Sequence, residues 1–452
     1  MTPAAGQGFE QWLDREYRFA ATAMLRSVSA VSIVKERPGF GQSVRPKAGS
    51  IVASPIPGAY DPDPDYFFHW FRDSAVVIDA VRLLYEAGSL GEEALAHLMD
   101  FVRFSLSLES LDGRALVASP AWRQKVTPGF VQFVRTDDDL ANLHDQAVVA
   151  DTRVNPDGTP DISKWNRPQH DGPALRALAM LRWAHTLKSR GGSVGVAMAD
   201  LSRLIRSDLA FTVDRWRVPS YDIWEEDLGH HYYTLRVSAA ALSEGAEWAR
   251  AAGRPEEAAA LGAEAQAVDQ SLDSFWDEKA GYYRSRDLAS GTQSPKQLDI
   301  AVILSAIHAA GGGTRHTARD PRMHATLAKL ESLFETAYPI NHQLTRDRAP
   351  AMGRYHGDVY YSGGAYFFST LGASEFCFLA AAGEPAGSDA RKRWVQHGDG
   401  FLATARAYTP DSGDLSEQFD QRTGEQTSAK HLAWSYAAFI SCVAARRKVA
   451  AQ

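Results

Sequence analysis

The sequence predicts an all-α protein, an (α/α)6 barrel of six inner and six outer helices. Three observations lead there. Runs with a 3.6-residue apolar period recur along the chain, with very little that alternates like a strand. Long and short connections between these runs alternate. The helices after long connections are small and apolar, whereas those after short turns carry more charge. A helix apolar all round is buried and an amphipathic one lies at the surface, so the alternation describes a ring inside a ring.

Taken in order, the first helix is expected over 8–31, followed by the long segment 32–71 and the apolar 72–88 (SAVVIDAV). The short turn EAGSLGEE leads to 91–110. Segment 111–171 precedes 172–190 (GPALRALAML), and SRGGSV turns the chain into 194–216. Loop 217–230 opens onto 231–252 (VSAAALSEGA), and AAGRPEE leads to the more charged 255–276. Segment 277–296 precedes 297–310 (DIAVILSAIHAA), and GGGTRHTARDP precedes 322–338. Loop 339–361 precedes 362–383 (YFFSTLGASEFCFLAAA), which turns into 386–407 with its DARKRWVQ. Loop 408–426 precedes 427–448 (LAWSYAAFISCVAA). All six long loops then meet over the inner-helix N-termini, where unpaired N–H groups and the helix dipole act. An elongated solenoid is the rival, but no fixed sequence period supports it. No Pro/Ser/Gly-rich linker divides the 452 residues, so the chain reads as one domain, 1–452.

Hydrophobic residues at 45% and charged residues at 23% describe an ordinary globular protein with ample core. A net charge of −7 argues against nucleic acid or an anionic membrane as partner. A neutral partner fits better, and 11 Trp and 16 Tyr supply stacking surface for one. Cys377 and Cys442 lie in apolar stretches and read as small buried hydrophobes; no metal-binding Cys spacing occurs. No basic-then-apolar leader is visible at the N-terminus, and no run approaches the ~20 apolar residues of a membrane span, so a cytoplasmic location is expected.

The chemistry-bearing residues crowd into the long loops. The first ends PDYFFHWFRDSAVV, with Tyr66, Trp70, Arg72 and Asp73, of which Asp73 could equally cap its helix. DPDPD at 61–65 lacks the central Gly and terminal Glu of a calcium loop. The second gives WNRPQHDG, where Trp165 is a stacking platform and Arg167 with Asp171 reads best as a loop latch. The third, YDIWEEDLGHHYY, carries Asp222, Trp224 and three consecutive acids, Glu225, Glu226 and Asp227. The fifth supplies Arg354 and Asp358, and the last supplies Glu417 ahead of a helix containing Trp434. The inventory suits a neutral, polyhydroxylated substrate. Sugars stack their CH faces on Trp and Tyr, and their hydroxyls bond to Arg and Asp. Glycoside cleavage needs one protonated and one ionised carboxyl group. Crowding by like charge and aromatic walls would raise a Glu pKa, so Glu225 or Glu226 is the acid candidate and Glu417 the base.

Four motifs, YFFHWFRD, NRPQHDGPALRA, YDIWEED and LSEQFD…GEQTSAKHLAWSY, together with SIVASPIPGAYDPDPDYFFHW, resemble the glucoamylases of glycoside hydrolase family 15, in family order and over nearly the whole chain. The resemblance implies an (α/α)6 barrel and a cofactor-independent, inverting enzyme that releases β-glucose from non-reducing ends of α-glucans. By position it makes Glu225 the general acid and Glu417 the general base, with carboxyl groups ~6.5–9.5 Å apart. It places Arg72, Asp73 and Arg354 on the terminal glucose; Tyr66, Trp165 and Trp434 on the pocket wall; and Asp222 and Glu226 nearer the leaving group. Trp70, Trp224 and Arg167 complete the substrate-binding candidates.

The chain departs from the family at Gly229-His230-His231-Tyr232-Tyr233 and at Gly364-Ala365-Tyr366, both expected on the leaving-group side. The two histidines are expected to be solvated or to touch substrate, with metal binding improbable. No starch-binding appendage and no N-terminal β-sandwich is expected, which favours a soluble oligosaccharide. The alternatives are the same chemistry on isomaltose, dextran or trehalose, and a non-catalytic glucan-binding barrel such as those within phosphorylase kinase regulatory subunits. A barrel phosphorylase or an endo-acting cellulase is a weaker contender.

Overall fold

The computed structural model describes residues 3–58, 62–190, 195–311 and 314–451. Six helices form a closed inner ring: Phe71–Glu86, Asp171–Ser189, Tyr232–Ala251, Ala301–His308, Phe367–Ala382 and Ala433–Ala450. Each packs on the next, and the last returns to the first. Six more lie outside them: Pro3–Leu25, Glu93–Ser107, Gly195–Arg215, Pro255–Leu272, Pro321–Ala337 and Asp389–Tyr408. The molecule is an (α/α)6 barrel. Side-chain size decides how closely the rings approach. A Cβ on Gly172 would come within 2.6 Å of Phe71, so that glycine lets two inner helices touch. Between rings, Arg176 forks onto Asp208 at 2.9 and 2.7 Å, both fully buried.

Several boundaries differ from expectation for identifiable reasons. The last inner helix starts at Ala433, because Gln426–Thr427 is taken into a strand against Gln418–Phe419. The fourth shrinks to Ala301–His308, because Asp299 pairs with Tyr355 in an antiparallel bridge and its carboxylate accepts the Ala301 N–H at 2.8 Å. The turn SRGGSV and the start of the expected helix 194–216 fall largely at 191–194, outside the described residues, as do 59–61, which include the first residue of the DPDPD stretch, and 312–313 in the GGGTRHTARDP turn. Segment 111–150 is not a featureless loop. It folds into the short helices Gly113–Ala118, Asp137–Ala141 and Gln146–Val149, with 3-10 turns at Pro120–Lys125 and Pro128–Phe133.

The strands are short but well placed. His69–Trp70 pairs with Arg153–Val154 and runs directly into the first inner helix. Leu228–His231 pairs with Ser220–Tyr221 and Arg286–Leu288 and runs into the third. Ala365–Tyr366 pairs with Gln418–Phe419 and runs into the fifth. Paired backbone thus fixes the loops where they meet the barrel, and the pleat decides which side chains point inward. Among the described residues no helix is long and apolar enough to cross a membrane.

Candidate active site

The WEED turn closes the hairpin between Ser220–Tyr221 and Leu228–His231. At its tip Glu225 has φ +64°, a left-handed conformation that costs a non-glycine residue about 1–3 kcal/mol and persists only where its surroundings enforce it. Here they do. The Glu225 N–H donates to the Asp222 carbonyl at 2.9 Å, and Asn166 donates to the Glu225 carbonyl at 2.7 Å. Asp222 Oδ1 accepts the backbone N–H groups of Glu226 (2.6 Å) and Asp227 (3.1 Å). So held, Glu225 points its carboxyl group into a cavity. Trp70 Nε1 (2.8 Å) and Arg72 Nη2 (3.0 Å) donate to its Oε1, and Trp165 Nε1 donates to its Oε2.

The consecutive acids do not crowd one another. Glu226 turns to Lys296 (2.7 Å), Arg354 (3.1 Å) and the Tyr355 hydroxyl (2.5 Å). Asp227 turns to Arg286 at 2.7 Å and Lys296 at 3.4 Å. Every acid of the run has its own cation, because the left-handed residue at the tip splays the side chains apart. The like-charge crowding that the sequence suggests around Glu225 is therefore dispersed by the fold.

Glu417 comes from the last long loop, directly before the strand Gln418–Phe419. Its carboxyl group accepts from the Ser428 hydroxyl and, at 3.2 and 3.4 Å, from Tyr66, whose oxygen is also 2.8 Å from that of Tyr360. Burial pushes its pKa up to about 7, against the pull of Ser428, Arg354 and Tyr66. Asp73 is similarly raised to about 6 by burial, with Arg72 opposing. Its Oδ2 is buried without a hydrogen-bond partner among the described residues, the Arg72 guanidinium lying 3.5 Å away. Arg354 grips Asp358 through two bonds of 2.6 and 2.5 Å.

Of the thirteen sequence candidates, eleven line one cavity of about 610 Å³: Tyr66, Trp70, Arg72, Asp73, Trp165, Trp224, Glu225, Glu226, Arg354, Glu417 and Trp434. Arg167 and Asp222 do not. Arg167 is bound to Asp151 and Asp161 and donates to the Trp165 carbonyl at 3.0 Å, so it braces the Trp165 loop. Nor does it latch onto Asp171, which faces Arg72 at 3.4 Å. Asp222 lies buried beneath Arg286, at 2.9 Å, and holds the turn through its bonds to the Glu226 and Asp227 N–H groups.

The departures also resolve. His230 and His231 lie on the strand before the third inner helix, not within a helix. His231 is buried, its Nε2 3.0 Å from the Ser220 carbonyl, and burial lowers its pKa to about 4. Tyr232 and Tyr233 are buried and hydrogen-bonded to His316 and His308. None of these four lines the cavity. The second departure does, through Tyr366. Two lining aromatics escaped the sequence reading, Tyr360 and Phe368, while Tyr366 figured there only as part of the departure from the family. Tyr360 and Tyr366 stand in the same stretch as Arg354, GRYHGDVYYSGGAY, and the density of tyrosines there was the available signal. Phe368 stacks on Trp434 with ring centroids 4.3 Å apart and planes 5° apart, closing the cavity floor. Among the described residues no cluster of three or more His, Cys, Asp or Glu is placed to hold a metal ion.

Two carboxyl groups from different loops thus face one aromatic, guanidinium-edged cavity. The model of the family described as Glycosyl hydrolases family 15 matches residues 39–110 and 151–444. The chain belongs to that family. This family 15 hydrolase is similar to a probable glucoamylase of Schizosaccharomyces pombe, 26% identical over 473 residues that cover 97% of this chain and 92% of the relative. It is also similar to the intracellular sporulation-specific glucoamylase of Saccharomyces cerevisiae, 25% identical across 97% of this chain and 84% of the relative. In fold it matches the glucoamylase of Saccharomycopsis fibuligera at a TM-score of 0.78 and 21% identity, covering 98% of this chain and 96% of that one. Family membership makes it a glycoside hydrolase and supports exo-acting cleavage of α-glucosides.

Proposed function

We propose that this hydrolase releases β-glucose from the non-reducing ends of malto-oligosaccharides with inversion, Glu225 acting as general acid and Glu417 as general base. What carries the reading is the closed pocket: the Phe368–Trp434 floor blocks a passing chain, and the unpartnered Asp73 oxygen above it is a ready acceptor for a sugar hydroxyl. A chain end fits there and a chain middle does not.

In this mechanism a protonated Glu225 gives its proton to the glycosidic oxygen as the C1–O bond breaks. Water attacks C1 from the opposite face and passes a proton to Glu417, and solvent exchange restores both groups. A base with a pKa near 7 is well matched to that task at neutral pH. Tyr66 and Ser428 orient it, and acceptor sites not taken by these two donors remain for water. Trp70 and Arg72 occupy both acceptor sites of Glu225 Oε1 and Trp165 one of Oε2, so the remaining site on Oε2 is where the acid can hold its proton and meet the glycosidic oxygen. The four lining tryptophans, Trp70, Trp165, Trp224 and Trp434, supply aromatic surface for the sugar ring. We place the enzyme in the cytoplasm, in keeping with its intracellular relative, which fractionation of expressing cells tests.

Proton NMR of fresh product tests the stereochemistry: β-glucose is expected, and α-glucose first would rule out the inverting assignment. A panel of maltose, maltotriose, isomaltose, trehalose and soluble starch tests the substrate. The highest kcat/KM is expected on maltotriose, and a preference for trehalose or isomaltose would replace the linkage while keeping the chemistry.

A further inference from the structure

The family match breaks off at 110 and resumes at 151, and the intervening residues fold against the loop that carries Trp165. Val134 and Ser163 form an antiparallel bridge, flanked by the Lys164 N–H donating to the Phe133 carbonyl (2.6 Å) and the Arg135 N–H donating to the Ile162 carbonyl (2.9 Å). That register sets Phe133 directly opposite Lys164. Facing residues of an antiparallel pair project to the same side, with Cβ atoms about 5 Å apart, and alternate residues project to the other. Val134 and Ser163 are buried, as are Arg135 and Ile162, whereas Phe133 and Lys164 are both exposed. Lys164 lines the mouth of the catalytic cavity beside Trp165.

Phe133 does not itself line the cavity, but its backbone is bonded to that of Lys164, which does, and half of Phe133 is exposed to solvent (50%). It is held firmly. Its ring meets Phe130 edge-on at 6.0 Å, and Phe130 meets Phe40 at 5.2 Å, over a small core of Phe40, Val126, Val134 and Ile162. Pro128 opens the 3-10 turn that presents it. An exposed apolar ring on a rigid base, continuous with a sugar-binding pocket, has the form of a stacking platform.

We propose that Phe133 binds the sugar units of the substrate that protrude beyond the catalytic pocket, so that the segment 111–150 adds affinity for longer chains. The proposal rests on the malto-oligosaccharide reading above. Lys164 supplies a hydrogen-bond donor beside the ring for the hydroxyls of the same units.

Calorimetric Kd values for maltose and maltoheptaose on the Glu417→Gln protein test it without turnover. Affinity is expected to rise with chain length. Phe133→Ala should weaken maltoheptaose roughly 2–10-fold more than maltose, the range of one aromatic contact. Phe133→Trp, which keeps a stacking face, should retain the length dependence. Equal weakening of both sugars, no weakening of either, or no binding of maltoheptaose overturns the platform. If wild-type protein releases no glucose while the length dependence still requires Phe133, the hydrolytic reading falls and the platform stands.

Discussion

Arg286 and Asp222 form a buried ion pair at 2.9 Å beneath the turn that carries Glu225. The same Arg286 reaches Asp227 at 2.7 Å and binds Asp299, whose carboxylate accepts from Trp224 Nε1 at 2.9 Å. One guanidinium thus ties three acids from two loops, and through them the two residues flanking the candidate acid. Asp222 holds the backbone of the turn through the Glu226 and Asp227 N–H groups. Asp222→Ala should destabilise the protein by about 3 kcal/mol, since it leaves a buried guanidinium short of a partner and two N–H groups without an acceptor. Urea unfolding measures that, and kcat should fall alongside. Full stability with a large rise in KM would instead mean that Asp222 contacts the sugar.

Glu225→Gln and Glu417→Gln should each lower kcat by at least ~10²-fold, the scale of lost acid–base catalysis. Both variants keep the acceptor oxygen, so circular dichroism should match the parent. Near-normal turnover in either removes that residue from its assigned role.

The pH profile should carry the mark of Glu417. As base it must be ionised, so kcat/KM should fall as pH drops through about 7 in the free enzyme. The Ser428 and Tyr66 donors stabilise the ionised form and hold that value down. Tyr66→Phe or Ser428→Ala should therefore move the acid limb upward. A limb that stays near pH 4–5 in the parent protein would assign it to a different group.

Much of this was legible in the sequence, and the exceptions share a cause. The inner ring could be read because SAVVIDAV or LAWSYAAFISC has no polar face, which only burial permits. Residues on the loops were found by type, as with Arg72 or Trp165, whereas direction was not recoverable. Asp222 and Glu225 stand three apart in one stretch, and only the left-handed φ at Glu225 decides that one faces the cavity and the other faces Arg286. His231 and Tyr232 looked like specificity residues because the chain leaves its family's pattern there. A four-residue strand carries them past the pocket into the wall of the barrel. Phe133 stood in a stretch with no periodic signal at all, since its placement depends on a single bridge to Ser163.

A second cavity of about 510 Å³ opens at the opposite end of the inner ring, on the far side of Phe368 and Trp434. Glu375 faces it, bonded to the Ser441 hydroxyl, and burial pushes its pKa up to about 7. The sign follows from linkage. The unfolded chain has this carboxyl near its ordinary value of 4.5, so between pH 4.5 and about 7 the folded state alone holds the proton. Stability contributed by the protonated form is present below 4.5 and is lost as pH rises through about 7. The full shift would amount to about 3 kcal/mol, and contact with the cavity reduces it to about 1–2 kcal/mol. Glu375→Gln abolishes that titration while keeping an acceptor for Ser441. Its melting temperature should exceed the parent's at pH 8 and converge with it at pH 5. The same gain at both values would show that packing, not charge, separates the two proteins.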